Sequence, residues 1–353
     1  MPKGSARRGA MPDGCKLCEK GAKLVLLVTG RCGRRCYYCP LSKTKRGRDV
    51  FYANEARIER ADEAVREARL MDALGTGVTG GDPLLALRRT NDAIRALKRA
   101  FGDGHHIHLY TSTTDSRRIR AAARAGLDEI RFHPPVGMWK RLHRSEYAQA
   151  TRAAVSEGIA VGLEVPAIPG REQDALALMD FAESAGLDFV NLNELEFSET
   201  NCDALRSRGM SVKDDVSSGV RGSERLAMAM FGGHNTVPLH YCSAAFKDGI
   251  QLRRRIARRG RNVRRPHEII TDEGLLLKGV IDTDDADGVT RVLIEDYHVP
   301  RRLVWHDEEK GRLEVAAWVL ADIADRLGEE SYVVEEYPTA DRLEVERTPL
   351  RRR

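Results

Sequence analysis

Between about residues 23 and 196, short apolar runs alternate with helix-like stretches. This alternation constrains the fold most, because strands joined by helices build a parallel α/β sheet or barrel. The pattern predicts strands over 23–29, 77–79, 107–112, 129–133, 159–166 and 189–195. Six strand-and-helix units are the number expected of a partial (β/α)6 TIM-like barrel. Asn54 is placed to cap a helix over 55–74, and Asp115 one over 116–125 that stops at Gly126. Period-2 alternation sends Ile107, Leu109, Ile130, Phe132, Ile159, Val161, Leu163, Val190 and Leu192 outward against helices. The opposite face carries His108, Tyr110, Ser112, Arg131, His133, Gly162, Glu164, Asn191 and Asn193. A polar inner face near the C-terminal strand ends suits a substrate cavity. The plainer alternative is that these groups satisfy one another in a solvated interior.

Directly after the apolar run 24–28, Cys32, Cys36 and Cys39 form Cys-x-x-x-Cys-x-x-Cys. Three thiolates on one loop can hold three corners of a [4Fe–4S] cluster and leave one iron open to a small molecule. A structural zinc fits this spacing poorly, since zinc sites favour paired Cys-x(2–4)-Cys units. After the second strand comes Thr79-Gly80-Gly81-Asp82-Pro83. Paired glycines let backbone approach a ligand closely, and carbonyl oxygens exposed there can accept from an ammonium group.

The two motifs at adjacent strand ends resemble those of the radical S-adenosylmethionine (SAM) superfamily. The resemblance implies that Cys32, Cys36 and Cys39 ligate a [4Fe–4S] cluster and that the aromatic Tyr38 lies near the adenine of SAM. It implies that Gly80, Gly81, Asp82 and Pro83 hold the methionine amino group, with Asp82 standing where the family usually has glutamate. Ser112, in Tyr110-Thr-Ser-Thr-Thr114, would meet the ribose. Glu164 and Ile168 would lie by the adenine, although Glu164 comes one residue early in the family's fifth-strand pattern. Longer stretches, among them Cys-Tyr-Tyr-Cys-Pro-Leu-Ser and Phe-Lys-Asp-Gly-Ile-Gln-Leu-Arg, are similar to a largely archaeal radical family. That family is described as related to pyruvate formate-lyase activating enzymes. The implied activity is reductive cleavage of SAM to a 5′-deoxyadenosyl radical that takes hydrogen from a substrate. Tyr110, Arg131, His133, Glu164 and Asn193 are the candidate substrate contacts. A ferredoxin or flavodoxin is the implied electron donor, and such a cluster is sensitive to oxygen. Glycyl-radical activation, RNA modification and non-catalytic metal and RNA binding are the alternatives.

Four cysteines remain: Cys15 and Cys18 before the first strand, Cys202 and Cys242 after the sixth. Four thiolates are a full ligand set for zinc or a second Fe–S cluster, with His240 as a substitute ligand. The other reading of Cys202 or Cys242 is a buried apolar residue. Seven cysteines without a signal peptide argue against a disulfide framework and for a reducing cytoplasm. No apolar run approaches a membrane span.

The sequence divides into an N-terminal segment over 1–22, the barrel over 23–235, a strand plus basic amphipathic segment over 236–265, and a small α+β domain over 266–353. In the last, 275–281 and 291–297 read as a hairpin, 313–327 as one helix, and 333–337 and 343–345 as strands. Arg253, Arg254, Arg255, Arg258, Arg259, Arg261, Arg264 and Arg265 crowd one stretch. They suit an RNA phosphate backbone or a solvated helix face with local acidic partners, and the second is preferred. His105, His106 and His108 are read as strand residues, since only His106 and His108 share a face.

Overall fold

The computed structural model describes residues 1–214 and 216–350. It comprises two compact units, Met1–Leu252 and the chain from Arg253 onward.

The first unit opens with β1 (Ala6–Arg8), α1 (Asp13–Glu19) and β2 (Lys23–Leu27). A short hairpin, β3 (Tyr52–Ala53) and β4 (Ala56–Arg57), leads to α2 (Ala61–Leu70) and β5 (Gly75–Thr79). There follow α3 (Leu87–Phe101), β6 (His106–Thr111), α4 (Ser116–Arg124), β7 (Glu129–Phe132), α5 (Glu146–Val155), β8 (Ala160–Ala167), α6 (Glu172–Ser184) and β9 (Phe189–Glu194). Helices α7 (Cys202–Arg206) and α8 (Ser223–Phe231) precede β10 (Leu239–Cys242). A short α9 (Ala244–Phe246) then runs into a π-helical turn, Lys247–Leu252.

The sheet order is β1-β10-β9-β8-β7-β6-β5-β2-β3-β4. The strands from β2 through β5 to β10 pair in parallel, each beside the next in sequence. Such winding is that of a barrel and not of a doubly wound sheet. All six expected strands are present. Leu24, Leu26, Ile107, Leu109, Ile130, Phe132, Val161, Leu163, Val190 and Leu192 are buried in one core with helix residues such as Ile94, Leu97, Ile119 and Leu178. The alternation therefore assigns the two faces correctly.

Three expectations for local structure are corrected. Leu239–Cys242 extends the barrel sheet as a further parallel strand beside β9, with β1 antiparallel on its other edge. Asn54 is not a helix cap. It takes φ of 50° in the β3–β4 turn, a region Asn tolerates better than most residues. Its side chain accepts from Val25 N at 3.0 Å and donates to Glu67 Oε1 at 3.0 Å. Helix α2 starts later, where Glu63 accepts from the N–H groups of Glu59 and Arg60. Asp115 does cap α4, through Arg117 N and Arg118 N.

The second unit contains α10 (Arg253–Val263), β11 (Ile269–Ile270), β12 (Leu276–Asp282), α11 (Ala286–Glu295), β13 (Val304–Asp307), β14 (Arg312–Val315), α12 (Ala317–Leu327), β15 (Glu330–Glu336) and β16 (Glu344–Pro349). Its sheet runs β13-β14-β12-β15-β16 with β11 on β12, all antiparallel. The stretch read as the second hairpin strand is helix α11. Asp285 caps it by accepting from Gly288 N at 2.8 Å, and Val289 and Leu293, four apart, reach the core. The predicted helix over 313–327 is strand β14 followed by α12, because Leu313 and Val315 alternate into the core with Glu314 on the other face.

That other face carries buried charges. Lys278 Nζ lies 2.6 Å from Glu268 and 3.2 Å from both Glu314 and Glu336, with Arg312 and Arg342 completing the network. The basic segment is also engaged inside this unit. Arg253 donates to Asp272 O and Arg259 to Pro338 O, while Arg265 pairs with Glu314 at 3.6 Å and covers the Trp305 ring at 4.2 Å. Among the described residues, no helix is long and apolar enough to cross a membrane.

Candidate functional site

The cysteine loop leaves the end of β2. Its base is cinched at Gly30, whose N–H donates to Arg48 O and whose carbonyl accepts from Gly47 N, both at 2.8 Å. A Cβ at Gly30 would stand 1.7 Å from Lys45 O, so no other residue fits there. Asp49 anchors the returning arm through Thr29 Oγ1 at 3.1 Å and Arg89 Nη1 at 2.7 Å. Cys32 is exposed, Cys36 and Cys39 half-buried, and Cys39 N donates to Cys36 O in a turn. Burial raises the Cys36 thiol, and the neighbouring Cys32 and Cys39 add to the rise. Three mutually opposed thiols next to solvent are a donor set that a cationic iron cluster would relieve.

The second motif packs against the base of this loop. Gly81 N donates to Thr29 O at 2.7 Å and Asp82 N to Arg31 O at 2.8 Å. A Cβ at Gly81 would meet Arg31 O at 2.2 Å, so the glycine is needed to bring the two loops together. Asp82 is buried and does not point into solvent. Its carboxylate accepts from Thr111 Oγ1 (2.7 Å), Ser112 N (3.2 Å), Ser112 Oγ (3.1 Å), Thr113 Oγ1 (2.8 Å) and Leu84 N (3.2 Å). The aspartate thus ties the end of β5 to the end of β6. Ser112 Oγ is 4.0 Å from Cys32 Sγ, and Ser112 O accepts from Arg34 Nη2 and from Tyr147 OH at 2.7 Å. Pro83 follows as a buried first residue of a short 3-10 turn.

Tyr38 turns inward, 5% exposed, with its hydroxyl 3.1 Å from His133 Nε2. His133 Nδ1 lies 2.8 Å from the Glu164 carbonyl, which can only accept. The imidazole therefore carries its proton on Nδ1, and Tyr38 donates to Nε2. Burial lowers the His133 pKa, which agrees with the neutral ring.

Other contacts hold the loop from across the barrel mouth. Asn201 Nδ2 donates to Tyr38 O at 3.1 Å and Glu196 O at 2.9 Å, and Thr200 Oγ1 donates to Cys39 O at 3.2 Å. Sequence reasoning missed Asn201, Thr200 and Tyr147. Asn201 and Thr200 reach the loop from more than 100 positions away, Tyr147 bonds Ser112 O from 35 positions away, and no local spacing marks any of them.

The polar inner ring is real and densely connected. Arg131 is 1% exposed and lies between Glu129 and Glu164, with Nη1 2.6 Å from Glu164 Oε2. Its guanidinium is thus engaged by carboxylates. Glu164 also accepts from Asn193 Nδ2 at 2.7 Å. Tyr110 OH is 3.0 Å from His108 Nε2, and His240 Nδ1 is 2.7 Å from Asn191 Oδ1. Tyr110, His133 and Asn193 keep partial exposure. Ile168 is buried in the main core.

The remaining cysteines do not form one group. Cys202 lies next to the cysteine loop, on the segment whose Thr200 bonds Cys39 O, and its thiol lies 3.7 Å from Glu199 O. Cys15 and Cys18 are on α1, and Cys242 ends β10. The expected four-cysteine set therefore loses Cys202, because the loop after β9 carries it toward the three-cysteine loop and not toward α1.

The chain matches the family model described as Radical SAM superfamily over residues 26–182, and a Domain of unknown function (DUF8061) over 274–350. It is 38% identical to a Methanocaldococcus jannaschii protein named "Putative glycyl-radical enzyme activating enzyme", over 96% of this chain and 93% of that protein. Among solved structures it is similar to Streptococcus suis SuiB bound to S-adenosylmethionine (TM-score 0.43, 12% identity, 63% of this chain and 50% of that one). It is also similar to methylornithine synthase (PylB) (TM-score 0.38, 13% identity, 50% of this chain and 54% of that one). The chain spans about half the length of these solved structures. With the family model over residues 26–182 and a relative aligned along nearly its whole length, the chain belongs to the radical SAM superfamily and is a radical SAM enzyme.

Proposed function

We propose that this enzyme binds a [4Fe–4S] cluster on Cys32, Cys36 and Cys39 and uses it to cleave SAM and begin hydrogen abstraction from a polar substrate. The observation that carries this reading is the locking of the three-cysteine loop onto the Gly80-Gly81 turn, with Asp82 fixing both to the end of β6. When bound, the cluster would supply the electron that breaks the C5′–S bond of SAM, giving methionine and a 5′-deoxyadenosyl radical. Backbone carbonyls of the Gly80–Pro83 stretch are suited to the methionine ammonium, and Ser112 to the ribose. Tyr38, Glu164 and Ile168 are assigned to the adenine side of the pocket. Tyr110, His133, Glu164 and Asn193 would orient the substrate, with Arg131 holding the Glu164 carboxylate in place. A low-potential carrier of the ferredoxin or flavodoxin type would deliver the electron.

A second reading concerns the substrate, and the 38% identical relative supports it. In that reading the hydrogen comes from a glycine of a partner enzyme and the product is a stable glycyl radical.

The test is anaerobic reconstitution with iron and sulfide, then dithionite and SAM, with 5′-deoxyadenosine measured by chromatography. Wild type should form it, and the Cys32→Ala/Cys36→Ala/Cys39→Ala variant should not. A wild type that holds its iron and forms none would overturn the proposal. An electron paramagnetic resonance doublet on an added partner protein would select the second reading.

A further inference from the structure

Helix α1 enters the barrel interior. It packs against β2, β5 and β6 and against the π-helical turn Lys247–Leu252. Gly14 N donates to Glu129 Oε2 at 3.2 Å, and a Cβ on Gly14 would stand 2.5 Å from both His108 Nδ1 and Arg131 Nη2. Cys15 follows, 5% exposed, with Cys18 one turn on. On β10, Leu239 and Tyr241 belong to the outer core. Their neighbours His240 and Cys242 therefore face inward, with Cys242 in register with Asn193. Gln251 of the π-helical turn donates to Cys242 Sγ at 3.6 Å. That turn therefore touches both α1 and Cys242.

Cys15 and Cys242 are each 5% exposed, and Cys18 is half-buried.

His240 supplies an independent observation. Its Nδ1 faces the Asn191 amide oxygen at 2.7 Å, so Nδ1 carries the proton and Nε2 bears a lone pair. The ring is 2% exposed and Nε2 has no hydrogen-bond partner. A metal-bound histidine has this arrangement, with one ring nitrogen donating to a protein acceptor and the other free for a ligand bond.

Spacing separates a cluster from a single ion. Among the described residues, one group of three or more ligand atoms lies within 4.8 Å of one another, namely His267, Glu268 and Glu314. That group already encloses the Lys278 ammonium. The inward cysteines are more widely spread than a tetrahedral zinc, whose ligands lie roughly 4 Å apart. The same is true of Cys32, Cys36 and Cys39. A cluster bonds each ligand to a different iron and so tolerates the wider set.

We propose that Cys15, Cys18, Cys242 and His240 hold a second iron–sulfur cluster inside the barrel, beside Glu164 and Asn193. The site is built by the N-terminal helix and the last barrel strand, and it does not depend on how SAM is used.

The experiment uses the full chain, reconstituted anaerobically with ferrous iron and sulfide, with iron, sulfide and zinc counted per chain. The Cys32→Ala/Cys36→Ala/Cys39→Ala variant should keep about half the wild-type iron and sulfide. Adding Cys15→Ser/Cys18→Ser, or Cys242→Ala alone, to that variant should remove the rest. Adding His240→Ala should shift the g values of the residual reduced cluster. An iron-free triple variant with a wild-type melting temperature would overturn the inference, and so would zinc at the remaining site. Because the triple variant is read first, a Cys15/Cys18 variant that fails to fold does not block the decision. Wild type that cleaves SAM beside an iron-free triple variant would sink the second cluster alone. A half-loaded triple variant beside a wild type that forms no 5′-deoxyadenosine would sink only the proposed reaction.

Discussion

Asp82 shows how one residue can serve a site without facing it. Its carboxylate collects hydroxyl and N–H donors from Thr111, Ser112 and Thr113. Asp82→Ala should cost roughly 2–4 kcal/mol, because the buried donors lose a charged acceptor. SAM affinity, measured by equilibrium binding, should weaken with it, while Asp82→Asn should lose less of both. A full-stability alanine variant in urea denaturation would count against this role. His105 carries the pH prediction. It is buried, bonds Thr76 Oγ1 at 2.9 Å and stacks on Phe101. Burial lowers its pKa from 6.5 to about 4. The unfolded chain then binds a proton near pH 6.5 that the folded one refuses until about 4, so stability falls as pH drops through this window. The full contribution is about 3 kcal/mol. In urea midpoints taken from pH 7 to 4, His105→Gln should flatten the slope, and parallel curves would refute the assignment.

At the scale of elements, the cysteine loop is held mainly by segments distant in sequence. The turn before α7 contributes Asn201, whose side chain bridges Tyr38 O and Glu196 O while accepting from Ser198 N at 2.8 Å. Asn201→Ala leaves these buried groups unpaired and should cost roughly 1–3 kcal/mol. The proposed cluster, once reconstituted, should also be lost to a chelator several-fold faster than in wild type, as followed by visible absorbance. Unchanged chelation kinetics would show that the loop is rigid without this latch.

The whole molecule has two cores, one around the barrel strands and one around Ile281, Leu293, Leu313 and Leu320. The second unit adds a fully buried lysine among Glu268, Glu314 and Glu336. Lys278→Met would strand those carboxylates and should destabilise this unit by about 3–5 kcal/mol. Calorimetry should show its transition moving down while the barrel transition and iron content stay put. A joint shift of both would mean that the units unfold together.

Local spacing alone determined the barrel strands, the inward polar ring, the cysteine triplet and the glycine pair. Each of these follows from a short period or a contiguous motif, and physics acts on neighbours in the chain. Tertiary structure decided the rest, because the deciding partner was remote. Asp285 capping turned a predicted strand into α11, and the pairing of β12 with β14 turned part of a predicted helix into a strand. Strand β10 joined the barrel only through its pairing with β9 and β1. The same pairing placed Cys242 inward, while the loop after β9 took Cys202 to the three-cysteine loop. The choice among four similar thiols is a question of which faces meet in three dimensions. Arg131 is a substrate contact by strand parity, yet two carboxylates from adjacent positions on the sheet enclose it. Parity tells which way a side chain points, and only packing tells what it finds there.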